Sequence, residues 1–117
     1  YQEKLFFIKK INAESSKLNL PGTLILFGSY AKKTFKEDSD IDLFYLGELK
    51  ETEITTIKAI GKMYGKTINL KTATIQHFET GLRKKDALII EILKYHLILQ
   101  NADRFINALW RYYYDIR

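Results

Sequence analysis

Two aspartates, Asp40 and Asp42, and a glycine–serine pair, Gly28-Ser29, are the residues whose types and spacing could do chemistry. Two apart in an extended chain, the carboxylates share one face, with Ile41 and Leu43 turned to the other. Like charges held that close repel, and a divalent cation is the economical compensation. Oxygen-only ligands, with no cysteine and no nearby histidine, favour Mg2+, which bridges carboxylates to substrate phosphates. The plainer alternative is two solvated aspartates at the start of a strand, where Asp-rich turns are common. Gly28 follows an apolar run directly, which frees the backbone to turn sharply and lets another group approach. Ser29 adds a hydroxyl and an N–H, and Lys32 and Lys33 add cations; a helical turn starting at Ser29 would favour a phosphate there.

Regular elements must hold these residues. Leu5, Ile8, Ile11, Ser15 and Leu18 recur at helical spacing, so residues 2–18 read as an amphipathic helix. After Pro21-Gly22, residues 23–27 form a short β-branched and apolar strand, and residues 28–39 a polar segment. Residues 40–46 read as a second strand closed by Gly47. Ile54, Ile57, Ile60 and Tyr64 mark a second helix, with Gly61 and Gly65 as its stop. Residues 66–72 alternate as a third strand. Thr74 caps a helix through Phe78 and Leu82, and Asp86 caps another over residues 87–94. Residues 96–99 are a short strand, and Asn101 opens a last helix whose core face is Ile106, Leu109, Trp110 and Tyr113. This order predicts an α/β (α+β) domain: a small mixed sheet with helices mainly on one face, in a single domain over residues 1–117. The chain does not begin with Met, which leaves room for a further domain upstream of residue 1.

The stretch from Leu26 to Leu43 resembles the active-site motif of the DNA polymerase β-like nucleotidyltransferase superfamily. In that family Gly-Ser, ten intervening residues and Asp-x-Asp form the site; Gly28-Ser29, residues 30–39 and Asp40-Ile41-Asp42 match without a gap. Tyr30-Ala31 and Asp38-Ser39 match its commoner form as well, and the length suits the minimal, MNT-type members. The resemblance implies the polymerase β-like fold, with Gly28, Ser29 and Lys32 on the phosphates of ATP or another NTP and Asp40 and Asp42 on Mg2+. It implies in-line attack by a hydroxyl on the α-phosphorus, moving a nucleoside monophosphate such as AMP and releasing pyrophosphate. It also implies a partner, because many MNT-type proteins resemble antitoxins paired with a HEPN-type RNase toxin, and some modify a tyrosine of that toxin.

Two positions depart from the family pattern. Lys32-Lys33 stands where Arg-Gly is usual, which keeps a cation but loses a bidentate fork and a residue of special backbone freedom. Asn69, in Ile68-Asn69-Leu70, stands where active members supply a third Asp, so the resemblance makes Asn69 a weak metal ligand. That departure leaves two alternatives to the enzyme: an antitoxin-like partner-binding module, and a nucleotide sensor with little catalysis.

The remaining features point less sharply. A net charge of +5 suits phosphate-bearing partners without choosing among them, and Arg83-Lys84-Lys85 is a weak nucleic-acid signal beside its role as a polar helix connection. His77 reads as a surface residue and His96 as half-buried. Outward Tyr112 or Tyr114 could serve a homodimer or partner contact. No apolar run approaches bilayer length, nothing at the start looks like a signal peptide, and the lack of cysteine fits the reducing cytoplasm. There is no P-loop and no Gly-x-Gly-x-x-Gly.

Overall fold

The computed structural model describes residues 2–115, with side chains for residues 6–114; the Leu5 side chain, read above as part of the first apolar stripe, lies outside the described residues. The elements run α1 (Gln2–Ser16), β1 (Thr23–Phe27), α2 (Gly28–Lys32), β2 (Ile41–Leu46), α3 (Glu51–Met63), β3 (Ile68–Ala73), α4 (Ile75–Lys84), α5 (Ala87–Lys94), β4 (Leu97–Gln100) and α6 (Ala102–Asp115). Four strands form one mixed sheet in the order β3-β2-β1-β4. β1 is antiparallel to both β2 and β4, while β2 and β3 are parallel and joined through α3.

The mixed α/β class holds, but the helices cover both faces of the sheet rather than mainly one. Leu24, Leu26, Ile41, Leu43 and Ile68 pack against Ile8 and Ile11 of α1 and Ile57 and Ile60 of α3. Ile25, Phe27, Phe44 and Leu46 pack against Phe78 and Leu82 of α4, Ile89 and Ile92 of α5, and Phe105 and Ala108 of α6. The physical reason lies in the strands: all five residues of β1 are buried, because a continuous apolar run supplies a core on each side.

Several boundaries move. α1 ends at Ser16, and β2 and β3 begin at Ile41 and Ile68, a residue or two later than the pattern suggests. Gly61 is no helix stop. It lies buried within α3, where a Cβ would stand 2.7 Å from Ile68 Cγ1, so its smallness brings α3 onto β3. Gly65, at φ 68°, lies just past the helix end, as expected of a stop. Both predicted caps form: Thr74 Oγ1 accepts from the His77 N–H at 3.1 Å, and Asp86 Oδ1 from the Leu88 and Ile89 N–H groups at 3.0 and 3.2 Å.

The last helix turns differently from its prediction. Phe105, Ala108, Leu109 and Tyr112 face the core, while Ile106, Trp110 and Tyr113 stand exposed, as does Tyr114. Two apolar stripes compete on α6, and the one holding Phe105 wins because that ring packs on Phe78 at 5.7 Å. His77 is exposed as expected; His96 is exposed rather than half-buried, its ring edge against Phe105 at 5.3 Å.

Side-chain clasps tie the late strand to the early chain. Asn101 Nδ2 donates to the Leu20 and Gly22 carbonyls at 2.7 and 3.1 Å. Gln100 Nε2 donates to Asn12 Oδ1 at 2.8 Å and to Ser15 Oγ at 2.9 Å. Among the described residues no helix is long and apolar enough to cross a membrane.

Candidate active site

The site begins where β1 ends. Gly28 adopts φ 70°, a left-handed backbone that penalises any Cβ, and a Cβ there would also overlap the Asp42 carboxylate. Glycine is therefore required twice over, by conformation and by space. The five-residue α2 that follows is a short helix at the start of the segment expected only to be polar. It is held by the buried Tyr30 ring, stacked on Phe35 at 4.6 Å, and by the Thr34 N–H donating to the Ser29 carbonyl at 3.0 Å. Lys33 closes it at φ 63°, the conformation that the family's usual glycine supplies without strain.

The other half is delivered by a tight turn. The Lys36 N–H donates to Ser39 Oγ at 2.7 Å and the Ser39 N–H to the Lys36 carbonyl at 3.0 Å, which sets Asp40 just before β2. Asp42 then pairs with Phe27 across the antiparallel β1–β2 ladder and with Asn69 across the parallel β2–β3 ladder. It thus sits between the Gly28 corner and Asn69. Asn69 Nδ2 donates to Asp40 Oδ2 at 3.2 Å and to Asp42 Oδ1 at 3.3 Å, so one amide bridges both carboxylates. The two acids face the same side, as their spacing predicts.

Burial pushes the Asp42 carboxyl above its ordinary value; the Asn69 hydrogen bond opposes this, the charges of Asp40 and Glu91 add to it, and Lys71 opposes it. Among the described residues no group of three or more His, Cys, Asp and Glu side chains gathers for a metal, in keeping with the amide at Asn69. Lys32 leaves the corner at the end of α2 and pairs with Glu91 Oε1 at 3.2 Å. The structure thus brings Gly28, Asp40, Asp42 and Asn69 together, with Ser29 adjoining, while the Lys32 ammonium points to α5. Sequence reasoning missed Glu91 and Lys71. Strand alternation from Asn69 would have found Lys71, whereas nothing local marks Glu91.

A family model for the nucleotidyltransferase domain matches residues 8–99. The chain belongs to the nucleotidyltransferase domain family. Membership supports nucleotidyl transfer as its activity and agrees with the resemblance in the motif. Among curated proteins nothing matches. Among solved structures, this nucleotidyltransferase domain is similar in fold to a toxin–antitoxin crystallised with AMP-PNP. The TM-score is 0.56 at 17% identity, over 89% of this chain and 86% of that one. It is also similar to the toxin–antitoxin MntA-HpeT, in a mutant with two aspartates, two positions apart, changed to glutamate. There the TM-score is 0.54 at 15% identity, over 87% and 84%.

Proposed function

We propose that this domain transfers AMP from Mg2+–ATP to a hydroxyl group of a partner protein, a tyrosine of a HEPN-type toxin. The observation that carries the reading is the convergence of Asp40, Asp42 and Asn69 beside a glycine corner with no room for a side chain. The residues suit a divalent cation: two carboxylates share one small space, every donor is an oxygen or an amide, and burial penalises Asp42 left charged without compensation. Asp40 and Asp42 would hold it, with Asn69 able to turn its amide oxygen inward. When bound, Mg2+ neutralises the triphosphate and stabilises charge developing at the α-phosphorus.

The chain's own groups do the positioning. Gly28 admits the triphosphate against the backbone, the Ser29 hydroxyl and N–H bind its outer phosphates, and Lys32 supplies a cation from the end of α2. With the reactants in line, the acceptor hydroxyl gives up its proton to water and its oxygen bonds to the α-phosphorus as the bond to the bridging oxygen breaks, and pyrophosphate leaves. The fold neighbours support nucleotide and partner alike: one was solved with AMP-PNP, and the other carries changes at two aspartates with the spacing of Asp40 and Asp42.

The test is incubation with labelled ATP, Mg2+ and the partner. Label on a partner tyrosine with matching pyrophosphate release is expected, and both should vanish in the Asp40→Asn, Asp42→Asn double variant. Undiminished transfer by that variant disposes of the reading.

Asn69 favours a second reading, a partner-binding module that holds nucleotide with little turnover. In that case the double variant still binds and neutralises the partner.

A further inference from the structure

A groove of about 450 Å³ lies between the end of α2 and the outer stripe of α5, within the usual size of small-ligand sites. Ala87, Ile90, Glu91 and Lys94 recur at helical spacing and give one wall, opposite the Ile89 and Ile92 side that packs in the core. Lys32 gives the other wall, and Tyr95, 51% exposed, offers its ring. Lys32 links the groove to the active-site corner. Lys32 ends the short helix that Gly28 begins, a rise of about 6 Å. Asp42 lies on the same sheet face as Phe44, whose ring shares a cluster with α5.

We infer that this groove takes the nucleoside part of the triphosphate, with the base stacked on Tyr95. The inference rests on the function proposed above and adds the residue that would grip the base. A flat π-face with an apolar flank at Ala87 and Ile90 suits a nucleobase, since every base can stack on an aromatic ring. Lys32, Lys85 and Lys94 give the rim a positive balance against the single carboxylate of Glu91, which complements a polyphosphate ester. The Lys32 ammonium now stands 5.9 Å over the Tyr95 ring and pairs with Glu91, with both side chains about two-fifths exposed. Such a surface pair is weakly held, so a base can displace it.

Calorimetric titration of the whole protein with Mg2+–ATP and with Mg2+–tripolyphosphate separates the base from the phosphates. Tyr95→Ala should weaken ATP about tenfold and leave tripolyphosphate unchanged, while Tyr95→Phe keeps both. Because about half of Tyr95 is exposed, unfolding curves of the variants should lie close to that of the parent. If Tyr95→Ala changes neither ligand, or weakens both alike, the groove does not hold the base and the inference falls. If the unaltered protein binds neither ATP nor tripolyphosphate, the inference falls together with the nucleotide reading beneath it.

Discussion

Gly28 meets the carboxylate of Asp42 at a separation that leaves no room for a methyl group. Gly28→Ala should therefore act twice. Forcing alanine into φ 70° costs about 1–2 kcal/mol of stability, read by urea unfolding. Displacing Asp42 should lower pyrophosphate release roughly 100-fold, as small misplacements of reacting groups do.

Asn69→Asp places a third carboxylate against Asp40 and Asp42, where a neutral amide now bridges them. In EDTA the variant should lose roughly 1 kcal/mol to like-charge repulsion. Mg2+ should then raise its melting temperature more than that of the parent. Equal Mg2+ effects on the two proteins would show that Asn69 does not face the cation.

The Asp42 carboxyl is raised above its ordinary 3.8, chiefly by burial. Such a group contributes stability that is full below 3.8 and is lost as pH climbs through the raised folded value. Metal-free protein should show this decline, and Asp42→Asn should flatten it. Over the same span Mg2+ binding should strengthen, because the cation needs the ionised form.

Lys33 holds φ 63° at the end of α2 without the freedom of glycine. Lys33→Gly should raise stability by about 1 kcal/mol in chemical denaturation. Activity should hold, since the Lys33 side chain is exposed and makes none of the site's contacts described above.

The two stripes of α6 predict opposite outcomes. Phe105→Ala should cost about 3–5 kcal/mol, as a large buried ring is lost. Trp110→Ala, at an exposed position, should stay within roughly 0.5 kcal/mol. A reversal would mean the helix is turned as its sequence first suggests.

The orientation of α6 shows where sequence alone falls short. Asp40, Asp42 and Gly28 were legible because their chemistry is local: a turn, an alternation and a spacing of ten. Thr74 and Asp86 were legible for the same reason, since a cap bonds only its near neighbours. The α6 face was not, because Phe105 and Trp110 lie on stripes of similar apolar character and only contact with Phe78 chooses between them. The two-sided sheet is written in the unbroken apolar run of β1, whereas the order of the helices does not say which strand faces they fill. Glu91, on α5, pairs with Lys32 from a distant part of the chain, and no pattern near the motif announces it.

The strand order carries a consequence for synthesis. β1, which ends in the Gly28 corner, is flanked by β4, and the Gln100 and Asn101 clasps fasten that neighbour to the early chain. A nascent polypeptide that has emerged only as far as Asn69 already contains both aspartates, yet one border of its central strand is still open. Competence should thus await Leu97–Gln100, which seals that border, and the Phe105 face of α6, which completes the core beside it.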